Sequence, residues 1–217
     1  MLLALHTYKS GRGDKGSLKW EPNKAVVEAL EKAYYMSFKS VQPTGKRHLL
    51  AIDVSGSMNC PCVGSTALTC NLAAAAMMMV TVRTEENCDI VAFSHRLVPL
   101  NINKSDDLPT VIKKTSELPF GGTDCALPMT DAMEKKKEYD VFIVYTDNET
   151  WYGKVHPSRA LQQYREAMKL PDAKLIVVGM ASNGFTIADP DDFGMLDIAG
   201  FDSGATQTIA KFTMGEL

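Results

Sequence analysis

Apolar positions along residues 48–217 follow two kinds of pattern. Short, nearly continuous apolar runs are typical of buried strands, and apolar residues that recur at helical spacing are typical of helices. The short runs predict strands at 48–54, 89–93, 97–100, 141–146 and 174–179. The helical spacing predicts helices at 64–84, 106–117, 125–137, 157–169, 191–198 and 205–214. This alternation predicts a Rossmann-like α/β fold, with a mostly parallel central sheet and helices on both faces.

Residues 1–47 have a different pattern. Polar residues and glycines dominate 7–19, which predicts a loop. Apolar residues at helical spacing predict a helix over 21–39, with Pro22 in its first turn. We therefore divide the chain into a basic segment of loop and helix, residues 1–47, and a main domain, residues 48–217.

The composition is that of a soluble globular domain, with 45% hydrophobic and 23% charged residues. No run reaches the ~18 uninterrupted apolar residues of a membrane span, so no membrane partner is expected. The odd number of cysteines, five, argues against a disulfide framework and indicates a reducing compartment. The sequence Cys60-Pro61-Cys62 has no second Cys or His pair, so it is a poor zinc signal and is interpreted as free thiols.

The net charge of −3 conceals an asymmetry between the two parts of the chain. Residues 1–47 contain nine Lys and Arg against four Asp and Glu, whereas residues 48–217 contain fourteen against twenty-two. The basic segment is interpreted either as a solvated arm or as an arm that makes this chain a direct RNA-binding module, because basic residues beside aromatic ones can hold single strands. Under the second interpretation the residues nearest RNA are Lys9, Arg12, Lys15 and Lys19.

Five oxygen-bearing side chains are expected at one edge of the sheet. One aspartate ends the first predicted strand, and two serines follow it at alternate positions. A threonine follows a glycine pair before a helix, and a second aspartate follows the strand 141–146. Two carboxylates and three hydroxyls are hard oxygen ligands that suit Mg²⁺, with Mn²⁺ or Ca²⁺ as alternatives. The five metal-ligand candidates are Asp53, Ser55, Ser57, Thr123 and Asp147.

An enzyme is the main rival interpretation, and the sequence argues against it. Phosphotransferases of the haloacid-dehalogenase type also place an Asp at a strand end beside Mg²⁺, but they need a second Asp two residues later, where this chain has Ser55. A serine hydrolase is disfavoured because the chain contains no G-x-S-x-G sequence. The four histidines are scattered along the chain, so no nucleophile with a paired base is evident.

The spacing Asp53-x-Ser55-x-Ser57, followed by Thr123 and Asp147, resembles the metal-ion-dependent adhesion site of von Willebrand factor A domains. The resemblance implies a binding domain rather than an enzyme. In such a site neutral hydroxyl ligands leave net positive charge on the metal. We therefore expect the metal to capture an acidic group of a protein ligand in its remaining coordination position.

Longer runs at 38–47, 141–150 and 179–190 are similar to the Ro autoantigen family, RNA-binding proteins that combine a TROVE domain with a C-terminal von Willebrand factor A domain. In that family a ring of helical repeats precedes this region and binds Y RNA and misfolded noncoding RNA. That ring is absent from this sequence. The resemblance implies that the chain is the C-terminal domain with the helix leading into it. It also implies a cytoplasmic ribonucleoprotein as the parent, with the nucleus as a second location.

Overall fold

The structure is a computed structural model of the chain, and it describes residues 1–118, 121–147, 152–181, 184, 186–202 and 204–217. Parts of two runs that carry the family resemblance, at 148–150 and at 182, 183 and 185, lie outside the described residues. None of the helices in the described ranges is long and apolar enough to cross a membrane.

The strands of the described chain are β1 (His48–Asp53), β2 (Pro61–Cys62), β3 (Ser65–Thr69), β4 (Cys88–Phe93), β5 (Leu97–Pro99), β6 (Val141–Thr146), β7 (Lys174–Gly179) and β8 (Met195–Ala199). Six of them form one sheet in the order β5-β4-β1-β6-β7-β8, and β2 and β3 form a separate antiparallel hairpin. Neighbours in the large sheet are parallel except β4 and β5. The predicted mostly parallel sheet is therefore confirmed.

The α-helices of the described chain are α1 (Leu2–Lys9), α2 (Lys24–Ser37), α3 (Cys70–Thr84), α4 (Leu108–Ser116), α5 (Leu127–Glu134), α6 (Pro157–Met168) and α7 (Ala205–Met214). Side chains fix several of the starts. Asn23, Thr69 and Asp107 each accept a hydrogen bond from a backbone N–H in the first turn of the helix that follows. Such caps satisfy donors that the helix itself leaves unpaired.

The central strands β1 and β6 are buried along their whole length. Their side chains alternate between two cores, as the two-residue period of a strand requires. Leu50 and Ile52 pack on the face that α3 covers, whereas Leu49 and Ala51 pack on the face that α5 and α6 cover. Burial on both faces is what parallel sheets require, so the prediction of helices on both faces is confirmed.

The predicted helix at 64–84 is wrong in its first part. Residues Ser65–Thr69 form β3, which pairs with β2, and the helix begins only at Cys70. The Thr69 hydroxyl accepts a hydrogen bond from Leu72 N at 3.3 Å and so caps α3. The sequence pattern missed this boundary because the apolar residues on either side of Thr69 continue the helical spacing.

The predicted helix at 191–198 is also wrong, because Met195–Ala199 forms the edge strand β8 beside β7. The turn before it is held by Arg165, whose guanidinium pairs with both carboxylate oxygens of Asp192. Met195 is buried and the residues after it alternate in exposure, as on an edge strand that is covered on one face. Five residues are too few for their spacing to separate a strand from a helix.

The basic segment packs onto the main domain. Helix α1 extends to Lys9, so the predicted loop at 7–19 begins three residues too early. Helix α2 begins at Lys24 after the cap Asn23, and Pro22 therefore precedes the helix instead of lying in its first turn. Leu2, Leu5 and Tyr34 belong to the same buried cluster as Leu50 of β1.

Candidate metal centre at the carboxyl edge of the sheet

The two aspartates of the predicted site lie where the strand order of the sheet reverses. β4 lies on one side of β1, and β6 lies on the other. Asp53 is the last residue of β1, and Asp147 directly follows β6. Open parallel sheets bind ligands in the crevice at this point of their carboxyl edge. The fold therefore brings both carboxylates to its expected ligand position.

The loop after β1 folds back onto the first aspartate. Asp53 Oδ1 accepts a hydrogen bond from Ser55 N at 2.7 Å, which is the side-chain-to-backbone bond of an Asx turn. A short 3-10 turn, Gly56–Asn59, follows at once. The hydroxyl oxygens of Ser55 and Ser57 lie 3.0 Å apart. Asp53, Ser55 and Ser57 thus converge as their alternate spacing predicts.

Asp53 is a buried carboxylate whose donors are both neutral. Its side chain is only 1% exposed, and Oδ2 accepts a hydrogen bond from the Thr146 hydroxyl at 2.9 Å. Burial is the main cause that raises the pKa of Asp53 to about 6; the charge of Asp147 acts in the same direction, and the hydrogen bonds from Ser55 and Thr146 act against it. A carboxylate desolvated in this way favours either a proton or a cation beside it.

Thr146 makes a contact in the candidate site that the sequence did not reveal. Ile52 pairs with Tyr145 across β1 and β6, so the next residues on the two strands, Asp53 and Thr146, lie side by side. The hydrogen bond between them fixes the orientation of the carboxylate. Only the strand register reveals this contact, because nothing in the sequence separates Thr146 from other threonines at strand ends.

Thr123 lies in the loop before α5, at the same edge of the sheet. The next residue, Asp124, donates its N–H to Ser94 O at 2.9 Å, directly after β4, and β4 is the neighbour of β1. Thr123 is 7% exposed. A Cβ on Gly122 would lie 2.9 Å from the Tyr152 ring. The glycine before Thr123 therefore allows a packing that a larger residue would disturb.

Asp147 is the most deeply buried of the candidate ligands, at 0% exposed. Its negative charge raises the pKa of three nearby groups. It raises the pKa of Asp53, and it adds to the effect of burial in raising the pKa of Cys70 and Cys125. Two buried aspartates and two thiols therefore lie in one electrostatic neighbourhood.

The chemistry of these donors fits a hard divalent cation. In the part of the chain that the structure describes, no three His, Cys, Asp or Glu side chains group as a metal site. The candidate set instead combines two carboxylates with three hydroxyls, all oxygen. Oxygen ligands with open positions suit Mg²⁺, Mn²⁺ or Ca²⁺ better than Zn²⁺, which prefers nitrogen and sulfur.

The four basic candidates for RNA contact are all exposed. Lys9 Nζ lies 3.1 Å from Glu31 of α2, so a carboxylate offsets part of its charge. Arg12 and Lys19 face each other in an antiparallel bridge and line a shallow polar pocket of about 490 Å³ with His6. Lys15 lies outside the lining of that pocket.

The loop that carries these residues is ordered around an aromatic pair. The Trp20 indole donates to Tyr8 O at 2.8 Å, and the two rings stack with centroids 6.0 Å apart. The two aromatic residues that flank the basic candidates in the sequence, Tyr8 and Trp20, are therefore engaged with each other. This arrangement weakens the interpretation of the segment as a single-strand binding platform.

All five cysteines are free thiols in the structure. Two of them lie close together beside the metal-ligand loop, with Cys60 Sγ 3.3 Å from Cys70 Sγ. In the sequence Cys60 and Cys62, two positions apart, were interpreted as free thiols. The closeness of Cys60 and Cys70 was not predicted, because residues 65–69, which form β3 and lead into Cys70, were predicted as helix.

Comparison with known proteins supports the resemblance seen in the sequence. The family model described as the Ro60 vWA domain matches residues 47–213. The chain is 46% identical over 217 residues to the RNA-binding protein RO60 of Caenorhabditis elegans, covering 34% of it. It is 46% identical over 218 residues to the RNA-binding protein RO60 of Deinococcus radiodurans, covering 41% of it.

A solved structure agrees with these matches. The crystal structure of the Deinococcus radiodurans RO (RSR) protein superimposes with a TM-score of 0.89 at 45% identity. All of this chain is covered, but only 44% of that protein. The chain therefore spans less than half the length of these relatives.

Proposed function

The chain belongs to the Ro60 family of von Willebrand factor A domains, and on that premise we propose that its carboxyl edge binds a divalent metal ion, Mg²⁺ in the first instance. The metal in turn binds an acidic group of a protein partner. The five ligands are the side chains of Asp53, Ser55, Ser57, Thr123 and Asp147.

One observation carries the proposal: Asp53 is 1% exposed and has only neutral hydrogen-bond donors, with Asp147 as a like charge nearby. Burying two carboxylates near each other is unfavourable unless a cation offsets their charge. The paired hydroxyls of Ser55 and Ser57 add neutral oxygens at the same point. With only two negative ligands, a divalent metal keeps affinity for a further carboxylate.

Calorimetric titration with Mg²⁺ tests the site. The double substitution Ser55→Ala and Ser57→Ala removes two hydroxyl ligands, one of them on the buried Ser55, but no apolar side chain of the core. We therefore expect Mg²⁺ binding to disappear while the protein stays folded. The matched control is Ser40→Ala with Ser116→Ala, two exposed serines that bond only to local carbonyl groups. Unchanged Mg²⁺ affinity in the first variant would refute the ligand set.

Catalysis is not part of the proposal. Asp53 accepts hydrogen bonds from the Ser55 N–H and the Thr146 hydroxyl, and no histidine or lysine is positioned to activate a nucleophile among the hydrogen bonds of Asp53, Ser55 and Ser57. We expect a screen of phosphate and ester substrates with Mg²⁺ to find no turnover. Hydrolysis that Asp53→Asn abolished would overturn this expectation.

The support for a role in RNA binding comes from two relatives of this chain, which are both named RNA-binding proteins. We propose that this chain is part of a cytoplasmic ribonucleoprotein, with the nucleus as a second location. In it Y RNA and misfolded noncoding RNA are held by a region that this chain does not include. The alternative is direct RNA contact through Lys9, Arg12, Lys15 and Lys19. Their exposure favours that alternative, but the pairing of Lys9 with Glu31 and the internal stacking of Tyr8 on Trp20 count against it.

A further inference from the structure

Two thiols beside the candidate metal centre, those of Cys60 and Cys70, lie close enough to react with each other. Cys60 Sγ and Cys70 Sγ are 3.3 Å apart, and Cys70 N donates to Cys60 O at 2.9 Å. Pro61 pairs with Thr69 in the adjoining hairpin, and the backbone hydrogen bond from Cys70 to Cys60 continues that pairing by one residue beyond each strand. Opposed residues on antiparallel strands have Cα atoms ~4.5–5.5 Å apart. That separation lies within the ~4.4–6.8 Å that a disulfide spans.

The two sulfurs differ in access. Cys60 is partly exposed, whereas Cys70 is fully buried at the start of α3. A soluble oxidant therefore reaches Cys60 first, and Cys70 lies behind it as the resolving thiol. Cys62, the nearer neighbour in sequence, is buried and directs its thiol to Val63 O at 3.3 Å.

We propose that Cys60 and Cys70 form a reversible disulfide under oxidising conditions, with a low-molecular-weight disulfide such as glutathione disulfide as the oxidant. Cys60 as thiolate attacks one sulfur of that disulfide, giving a mixed disulfide and releasing one glutathione thiolate. Cys70 then loses its proton and attacks Cys60 Sγ, which releases the second glutathione. The protein loses two electrons and two protons, and one glutathione disulfide becomes two glutathione molecules.

The disulfide would act on the metal-ligand loop. Cys60 N donates to Ser57 O at 2.9 Å, and Ser57 lies in the 3-10 turn that Cys60 follows. Bond formation brings the sulfurs from 3.3 Å to about 2.05 Å. Because Cys70 is anchored in the core, Cys60 must supply most of that movement. The Ser57 hydroxyl is then displaced, and Mg²⁺ binding weakens by about tenfold, the lower end of what loss of a supporting contact costs a metal site. This consequence rests on the proposed metal site, whereas disulfide formation does not.

The first experiment treats the intact chain, without metal, with glutathione buffers of increasing oxidation. The remaining thiols are then alkylated and the peptides mapped by mass spectrometry. We expect a single disulfide, between Cys60 and Cys70, that a dithiol reductant reverses. In the Cys70→Ser variant we expect glutathione to stay attached at Cys60, and in Cys60→Ser neither product. Cys88→Ser, the control, should form the disulfide normally. Absence of the Cys60–Cys70 bond, or a Cys60–Cys62 bond in its place, would overturn the proposal.

The second experiment compares Mg²⁺ titrations of the reduced and oxidised chain. About tenfold weaker binding after oxidation supports control of the metal site, and equal affinity refutes it. If the reduced chain binds no Mg²⁺, the proposed metal site fails, but peptide mapping still decides whether the thiols form the bond.

Discussion

The carboxyl edge of the sheet and the basic segment both contain charged side chains that the sequence indicated as candidate binding residues. The two sets of side chains differ in their exposure to solvent. At the edge, Asp53 and Asp147 are almost completely removed from solvent. In the basic segment, Lys9 and its partner Glu31 remain 54% and 39% exposed. The same unit of charge therefore has different consequences in the two regions.

The difference shows that burial decides what a charge can do. Exposed pairs such as Lys9 and Glu31 contribute little, because water and salt screen them. A buried carboxylate with neutral donors must find a proton or a cation. Part of the excess positive charge of the basic segment is also paired with carboxylates. Arg47 pairs with Asp140 and Glu138 beside the start of β1, at the opposite end of that strand from Asp53.

Asp53→Asn should have the largest effect. We expect Mg²⁺ affinity to fall by more than about 100-fold, because a ligand is lost outright rather than a supporting contact. The metal-free variant should nevertheless be the more stable protein at pH 7. Burial raises the pKa of Asp53 from 3.8 to about 6, so the folded metal-free chain holds its proton more tightly than the unfolded chain and loses stability as pH rises through that interval.

Urea unfolding in a chelator, at several pH values, measures this effect. The free energy of unfolding of Asp53→Asn minus that of the unsubstituted chain should grow from pH 4 to pH 7, by roughly 3 kcal/mol at most. Saturating Mg²⁺ should remove the difference or reverse it, since the metal then stabilises only the unsubstituted protein. A difference that stays flat with pH would show that Asp53 is not a destabilising buried charge.

Thr146→Val should have an intermediate effect on the same edge. It removes the hydroxyl that holds Asp53 Oδ2 at 2.9 Å but no metal ligand, so we expect about tenfold weaker Mg²⁺ binding. Thr213→Val is the matched control: within the described chain its buried hydroxyl has no hydrogen-bond partner. Equal losses in the two variants would mean that the Thr146 contact is only structural.

Substitutions in the basic segment should have the smallest effect. We expect the isolated chain to bind a structured small RNA no more tightly than roughly 10⁻⁶ M at ~0.15 M salt, the non-specific range. The double substitution Lys15→Ala and Lys19→Ala should then change RNA affinity little. The control is Glu28→Ala with Glu31→Ala, which changes the net charge by the same amount in the opposite direction. Tight binding that the lysine variant abolished, with a steep dependence on salt, would make the basic segment a true RNA site.

The central strands and the five metal-ligand candidates could be identified from local sequence patterns alone. β6 (Val141–Thr146) and β7 (Lys174–Gly179) have the predicted bounds, and β1 differs by one residue. Continuous apolar runs of this length are dictated by burial on both faces, which is a local signal. Asp53, Ser55 and Ser57 are close in the chain, so their convergence also needed no distant contact.

Features that depend on strand register or on the edges of the sheet could not be identified in this way, because they require contacts between distant parts of the chain. The contact of Thr146 with Asp53 follows from strand pairing across 93 residues. β8 forms because an open edge of β7 accepts it, and the β2–β3 hairpin forms where the local spacing favoured a helix. That hairpin also brings Cys60 to Cys70. The physical reason is common to all of them: short segments have nearly balanced local preferences, and the partner that the fold supplies settles the outcome.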